Sequence, residues 1–463
     1  MNGHFFQKPS VIELGNGERR IDVPQLAENF LSKNRVIRFH NDLFLFDAQT
    51  GLWIKKSKEE IKRLASQILQ KEDLTLWTVK TSQNVMEQLD IRIPNLNFDE
   101  KKHKNLLALD NCIVNLYSGK TAKLSPKYFF TAKTCFSYDA KADCPIFKNY
   151  LETVCVGDSG MVLMLEELLG YLLTNQTKIQ NIFYLFGTGK NGKSVFLDVV
   201  RELVGEGNFV TLTPQQLESS FSRTALENKK VLLIGDMNKR DSSNFITAEI
   251  KKLSGGDMVS AEKKYGSTYQ FKPFVKVVVS SNFFPVSSND PTFGAMRRIF
   301  LIPFQHQITD SEEDISLMDK LKEELPGILN LAMAGLRRLI KNNYTFSYDG
   351  SKAWKGIMAK EHPVKFFVDE MILPQPNGFV KYLEIQKSFK EWCRKKKINC
   401  KEPSSMQIKR EISQTFPHAE PWKRGGDRGM KNICLKKRNK FKNEGIWKRI
   451  KFPLPQKQKD NKP

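Results

Sequence analysis

The chain has 463 residues, with 74 Lys and Arg against 51 Asp and Glu, a net charge of +23 and 40% hydrophobic residues. Such a balance excludes a disordered chain, and no apolar run approaches the ~20 residues of a membrane-spanning helix. Two to four soluble domains with substantial cores are expected. The start, MNGHFFQKPS, lacks an apolar signal segment, so a cytoplasmic location is expected. The seven cysteines are scattered without C-x-x-C or metal-ligand spacing. Reduced thiols and no zinc site are therefore expected.

The first segment, 1–143, mixes short strand and helix signals and reads as an α+β domain. Val36–Phe46 alternates like a strand pair turning at Asn41-Asp42, and Gly51–Ile54 reads as the next strand. Lys58–Leu69 has helical spacing at Ile61, Leu64, Ile68 and Leu69, and Asn105–Gly119 reads as strands around turns. From Cys144 the pattern turns helical, at Phe147–Val154 and Met161–Leu173. Apolar runs follow at Ile182–Phe186, Val231–Ile234 and Val275–Ser280, with helical runs between them. Alternating strands and helices predict an α/β sheet over 144–310, with ligands at the strand carboxyl ends. A helical lid or linker is predicted over 311–355, where Leu317–Lys341 breaks at Pro326-Gly327.

The last region, 356–463, reads from Pro363 as helix, helix and short strands at Asn432–Leu435 and Gly445–Trp447, an order that suits a winged-helix module. Lys381 to Pro463 holds 25 Lys and Arg against 8 Asp and Glu, an excess of 17 positive charges. A solvated, self-repelling tail would explain that excess, and so would a phosphate-backbone binder. Interleaved Tyr382, Phe389, Trp392, Phe416, Trp422 and Trp447 favour a folded basic domain, with Pro453 to Pro463 loose.

The stretch GTGKNGKS fits G-x-x-x-x-G-K-[ST], with Gly187, Thr188, Gly189, Lys190, Asn191, Gly192, Lys193 and Ser194 in sequence. It lies between the apolar run Ile182–Phe186 and the helical run Val195–Val204, the strand–loop–helix context the motif requires. Glycines let backbone amides turn toward phosphate oxygens, and the following helix presents its positive end. Lys193 is assigned to the β- and γ-phosphates of ATP, and Ser194 to Mg²⁺.

Asp236 ends the buried run Val231–Gly235 and is the candidate acid for the Mg²⁺ water shell, although many strands end in Asp. Asn282 follows the third strand, where an amide can position the attacking water. Its bland alternative is a turn-forming Asn before Phe283-Phe284-Pro285. Arg297 or Arg298 could offer a finger to a neighbouring subunit's γ-phosphate or serve as a surface ion-pair partner; Arg297 is preferred. Met258–Ala261 and Thr268–Phe271 read as hairpin arms with Lys263, Lys264 and Tyr265 near the tip. Those residues could hold a DNA strand or form a solvated basic turn.

Together GTGKNGKS, VLLIGDMN, KKLSGGDMVSAEKKY, VKVVVSSNFFP and FGAMRRIFLIPF resemble superfamily 3 helicases, within them the phage/plasmid primase-helicase (poxvirus-type) group. CPIFKNYLETV…LEELLGYLLT resembles that group's helical entry, and HPVKFFVDE…YLEIQKSFKEWCRKK its C-terminal winged-helix region. The resemblance covers about three-quarters of the chain, more loosely at the N-terminus. It implies a P-loop NTPase core of AAA+-like type and a ring, usually a homo-hexamer, that hydrolyses ATP between subunits and pulls DNA 3′ to 5′. It assigns Lys193 and Ser194 to phosphate and Mg²⁺, Asp236 to the second acidic motif and Asn282 to the sensor. Arg297 or Arg298 would be the finger, and Lys263 or Lys264 would contact DNA.

Two departures matter. Many relatives have paired acids where Asp236 is followed by Met237, leaving Asp257 or Glu262 as stand-ins. Fuller relatives carry an N-terminal primase domain, and too little chain precedes the ATPase for one, so primer synthesis is not expected. The leading expectation is an ATP-dependent DNA helicase of a phage, plasmid or other mobile element, working on single-stranded and forked or origin duplex DNA. The alternative is an origin-binding initiator that uses ATP as a switch and leaves unwinding to another enzyme. A P-loop kinase of a small metabolite would explain neither Asn282 nor the basic region.

Overall fold

Local chemistry sets the N-terminal elements. The computed structural model describes residues 9–15, 17–39, 42–70, 72–97, 103–235, 237–238, 241–242, 247–263, 267–283, 298–350 and 362–436. Strands β1 (Val11–Glu13) and β2 (Arg19–Ile21) pair antiparallel, ahead of α1 (Val23–Lys33), which Asp22 caps. β3 (Val36–Phe39), β4 (Asp42–Asp47) and β5 (Leu52–Lys56) form an antiparallel meander, as their alternation predicts; Asn41 lies outside the described residues. Ser57 and Glu60 form a capping box on α2 (Lys58–Leu69), satisfying two amides that the helix cannot pair itself. With α3 (Val79–Arg92), these helices bury Leu26, Phe30, Ile61, Leu69 and Leu89 in one core. A third antiparallel sheet, β6 (Leu106–Ala108), β7 (Ile113–Asn115) and β8 (Thr121–Ala122), leads to the next unit.

Two helices enter that unit: α4 (Pro145–Val154), with Pro145 in its first turn, and α5 (Ser159–Leu172), capped by Asp158. β9 (Ile182–Phe186) passes through the Gly-rich loop into α6 (Lys193–Val204). Then come β10 (Phe209–Thr211), the short α7 (Pro214–Glu218) and α8 (Ser220–Arg223), and β11 (Val231–Ile234). α9 (Ala248–Gly255) leads to an antiparallel hairpin, β12 (Val259–Glu262) and β13 (Thr268–Phe271). β14 (Lys276–Ser281) and β15 (Ile299–Pro303) complete the unit's strands.

Five of these strands form a wholly parallel sheet in the order β10-β11-β14-β9-β15. Parallel strands are covered on both faces, so β9, β11 and β14 read as continuous apolar runs rather than alternating ones. From β9 the chain crosses to the far edge at β10, returns through β11 to β14, and then passes to β15 on β9's other side. The direction of winding reverses between β9 and β14. Ligands of open α/β sheets bind at that switch point, beyond the strand carboxyl ends.

After β15 come α10 (Leu317–Glu323) and α11 (Leu325–Lys341). The sequence break expected at Pro326-Gly327 falls instead at Glu324, because Pro326 occupies the first turn of α11, where its missing N–H costs nothing. α11 lies directly on α5: a Cβ on Gly170 would stand 2.1 Å from the Ala332 carbonyl oxygen, and one on Gly335 would stand 2.4 Å from that of Glu166. The apolar face of α11 is equally dense, with Ile328, Leu329, Ala332 and Leu336 sharing one core with Phe147, Leu165 and Phe183.

The last described unit runs α12 (Pro363–Met371), β16 (Ile372–Lys381), α13 (Tyr382–Lys396), α14 (Ser405–Thr415), β17 (Glu420–Arg424) and β18 (Asp427–Leu435). Its antiparallel sheet has the order β16-β18-β17. The strand expected at Asn432–Leu435 is the end of β18, whereas Gly445–Trp447 lies outside the described residues. No helix among the described residues is long and apolar enough to cross a membrane.

Candidate nucleotide site

The Gly-rich loop stands at the switch point. Gly187 is buried, and a Cβ there would meet Asn191 Nδ2 at 2.0 Å and the Phe304 carbonyl oxygen at 2.4 Å. Gly189 and Gly192 have φ of +104° and +83°, a region glycine enters without steric cost. Gly192 caps α6 with no side-chain hydrogen bond, so the helix offers its first amides and its positive end to an anion. Ser194, in the first turn, is exposed.

Lys193 points back into the loop. Its Nζ donates to the Gly187 carbonyl oxygen (2.7 Å), Asn191 Oδ1 (2.9 Å) and Asn282 Oδ1 (3.1 Å). The residue is 5% exposed, and burial pushes its ammonium down to about 8. Among the described residues no carboxylate lies within ion-pair distance of it. A buried cation at an uncapped helix start fits a polyphosphate, which supplies both counter-charge and acceptors.

Asn282 follows β14, next to β9 in the sheet, and so reaches Lys193 although 89 residues separate them. The Gly187 amide also donates to the Ser281 carbonyl oxygen at 3.4 Å. Ser281 Oγ hydrogen-bonds with Ser242 Oγ at 2.9 Å, and Tyr184 Oη donates to the Phe283 carbonyl oxygen at 2.7 Å. These contacts fix the turn that presents Asn282.

The other residues singled out in the sequence have varied placements. β11 ends at Ile234, and Asp236 lies outside the described residues, as do Lys264, Tyr265 and Arg297. Thr188 is exposed. Lys190 turns away from the loop interior: its Nζ pairs with Asp310 Oδ1 at 2.9 Å and Glu313 Oε2 at 3.3 Å, so only its backbone belongs to the cradle. Asn191 braces the loop by donating from Nδ2 to the Phe304 carbonyl oxygen at 3.1 Å. Asp257 and Glu262 stand in the hairpin segment rather than on the five-stranded sheet, and Glu262 accepts from Ser220 Oγ at 3.1 Å. Arg298 Nη1 donates to the Lys251 carbonyl oxygen (2.6 Å) and to Ser254 Oγ (3.3 Å), which ties it to α9 of its own chain. Lys263 follows β12, and its Nζ pairs with Asp42 Oδ2 at 2.7 Å. Among the described residues no group of three or more His, Cys, Asp or Glu could hold a metal ion.

Sequence reasoning missed Tyr150. This α4 residue donates from Oη to the Gly192 carbonyl oxygen at 2.8 Å, while Val154 walls the same glycine. Burial pushes its phenol well above the ordinary range, so it remains a hydrogen-bond donor. The helical run Phe147–Val154 carries no local signal that it meets the loop, 42 residues on in sequence.

Comparisons with known proteins bear on this arrangement. The family described as "D5 N terminal like" matches residues 26–156. "Family of unknown function (DUF5906)" matches residues 185–298, which contain the Gly-rich loop and the hairpin. "Putative helicase L207/L206" of Acanthamoeba polyphaga mimivirus is 26% identical over 239 residues, covering 50% of this chain and 24% of that protein. "Putative helicase 184R" of Invertebrate iridescent virus 6 is 25% identical over 253 residues, covering 51% of this chain and 26% of that protein. The matched part thus spans about a quarter of those relatives' length. An apo structure of the NrS-1 C terminal region superposes with a TM-score of 0.50 and 14% identity, covering 89% of this chain and 100% of that one, a likeness of fold.

Proposed function

From the premise that this chain is superfamily 3 helicase-like, we propose that it is an ATP-dependent DNA helicase of a phage, plasmid or other mobile element. One observation carries the reading: Lys193 Nζ, the Gly187 carbonyl oxygen and Asn282 Oδ1 converge within hydrogen-bond distance at the switch point of a parallel sheet. In this reading ATP exchanges its phosphate oxygens for the acceptors that now hold Lys193. Lys193 neutralises the β- and γ-phosphates, and the start of α6 binds them with its amides. Asn282, released from Lys193, positions the attacking water. Ser194 and Asp236 would hold Mg²⁺, which supplies charge neutralisation on the phosphates when bound.

Arg298 is committed to α9, so we assign the arginine finger to Arg297 of a neighbouring subunit in a homo-hexameric ring. The hairpin, through Lys263, Lys264 and Tyr265, contacts the translocated strand. The helix–strand–helix–helix–hairpin order after Pro363 supports a winged-helix module. Phe379 and Trp422 pack there at a tilt with centroids 3.9 Å apart, and Lys423, Arg428 and Lys431 are exposed on the same sheet, a combination that suits nucleic acid. We propose units at 1–143, 144–310, 311–355 and 356–463.

The test is ATP hydrolysis with and without single-stranded DNA, opening of a forked duplex, and particle mass with a non-hydrolysable nucleotide. Stimulated hydrolysis, unwinding and a ring are expected. Hydrolysis indifferent to DNA, with no fork opened, would overturn the reading. A footprint on one duplex sequence that survives Lys193→Ala, without unwinding, would favour the initiator reading, which the basic C-terminal unit motivates.

A further inference from the structure

The first arm of the hairpin that the helicase reading assigns to DNA leads to a lysine, Lys263, that is already engaged by a carboxylate of the same chain. β12 and β13 form a separate two-stranded sheet, and such a hairpin is marginally stable alone, so its position depends on what it rests against. Along β12 the supports come from the ATPase unit itself. Arg223 Nε donates to the Ser260 carbonyl oxygen at 2.6 Å, and Ser220 Oγ to Glu262 Oε2 at 3.1 Å. Beyond β12 the support changes. Lys263 reaches the N-terminal unit, where Asp42 opens β4.

Asp42 is built as a shared acceptor. Its Oδ2 receives Lys263 Nζ at 2.7 Å and Lys55 Nζ, from the neighbouring β5, also at 2.7 Å. Its side chain is 19% exposed and that of Lys263 33%, so this contact is partly desolvated. The ring of Tyr269 lies 5.3 Å from the Lys263 ammonium, on the facing strand of the hairpin. One carboxylate against two ammonium groups leaves the cluster with one positive charge. A DNA phosphodiester, also a monoanion with paired oxygens, matches the charge that Asp42 presents, and it is attracted less strongly while that carboxylate stays beside Lys263.

We propose that Asp42 is an internal competitor of the DNA phosphate: it latches the hairpin onto the N-terminal unit and lowers the affinity of Lys263 for a strand until DNA displaces it. The proposal rests on the helicase reading above. It adds a role for the N-terminal unit, which restrains the hairpin of its own chain through one ion pair spanning 221 residues of sequence.

The experiment uses the full chain and measures ATP hydrolysis against oligo-dT concentration, for wild type, Asp42→Asn and Asp90→Asn. Asp90 is the charge-matched control, an acid of the same unit paired with Arg38 and Lys58 rather than with the hairpin. Asp42→Asn is expected to lower the half-saturating oligo-dT concentration by about fivefold, with hydrolysis in the absence of DNA unchanged. Asp90→Asn is expected to change it by less than about twofold. Equal shifts in both variants, or none in Asp42→Asn, overturn the latch while leaving the helicase reading in place. Hydrolysis indifferent to oligo-dT in all three proteins overturns the helicase reading and the latch with it. A fall in thermal stability of Asp42→Asn without any gain in DNA affinity assigns the pair to bracing alone, and likewise overturns the latch.

Discussion

Two lysines are buried at the end of the sheet away from the phosphate loop, and they make a quantitative prediction. Lys230 precedes β11 and Lys276 opens β14; they are 3% and 4% exposed. The Lys276 amide donates to the Lys230 carbonyl oxygen at 2.9 Å. Lys276 Nζ donates to the Thr174 carbonyl oxygen, and Lys230 Nζ to Asn175 Oδ1. No carboxylate among the described residues pairs with either. Burial pushes Lys230 down to about 7, and burial together with the charge of Lys230 pushes Lys276 well down. Above pH 7 the folded state therefore holds fewer protons than the unfolded state, in which lysine titrates near 10.4, so stability rises with pH through that window. Lys230 alone contributes a slope of about 1 kcal/mol per pH unit, up to a ceiling of about 5 kcal/mol. Lys230→Met removes the charge and keeps the volume. It is expected to stabilise the protein at pH 7 by about 1–4 kcal/mol, to flatten the slope by about 1 kcal/mol per unit, and to retain ATP hydrolysis. Urea denaturation at pH 7, 8 and 9 reads both quantities. Destabilisation at pH 7 with an unchanged slope would refute the reasoning, since the ammonium would then be a net asset to the fold.

Lys193→Ala should reduce ATP hydrolysis to background while circular dichroism stays that of the wild type; an active variant would remove Lys193 from the chemistry. Gly187→Ala should weaken binding of a fluorescent ATP analogue by at least about tenfold, because its Cβ must displace Asn191 and the Phe304 backbone. Tyr150→Phe should cost about 1 kcal/mol in thermal unfolding and raise KM for ATP more than it lowers kcat, because only the hydrogen bond to Gly192 is lost. Truncation before Lys381 should lower DNA affinity and flatten its dependence on salt; an unchanged salt slope would make the basic region a solvated face.

What was legible in the sequence was what local chemistry writes. Ile182–Phe186, the glycine spacing and Val195–Val204 are contiguous, and each constrains its neighbours, so the strand, loop and helix could be read together. The arms of the hairpin, Val259–Glu262 and Thr268–Phe271, were readable for the same reason. β16 was not, because Pro374, Pro376 and Gly378 act as breakers inside a strand. The sheet accommodates them since β16 is an edge strand whose register shifts between Pro374 and Phe379. Tyr150 on Gly192 and Lys263 on Asp42 depend on the relative placement of separate units, which no local pattern encodes.

The order of elements also explains why the nucleotide and DNA candidates belong to one device. The hairpin is inserted between β11 and β14, and β13 leads directly into Lys276 at the amino end of β14. Asn282 follows the carboxyl end of the same strand. Six residues of strand span about 20 Å, so β14 carries the amide that meets Lys193 at one end and the base of the hairpin at the other. It is hydrogen-bonded to β9 on one side and to β11 on the other. A strand so held in a close-packed core moves with its sheet rather than bending within it. On the function proposed above, a change in what Asn282 grips, Lys193 before ATP enters and the reacting water afterwards, would thus be applied to the element from which the hairpin springs. The two buried lysines grip that same amino end: they hold β11 and β14 to the turn after α5 through Thr174 and Asn175, which gives the strand a fixed end and is the physical reason to place two costly buried amines there.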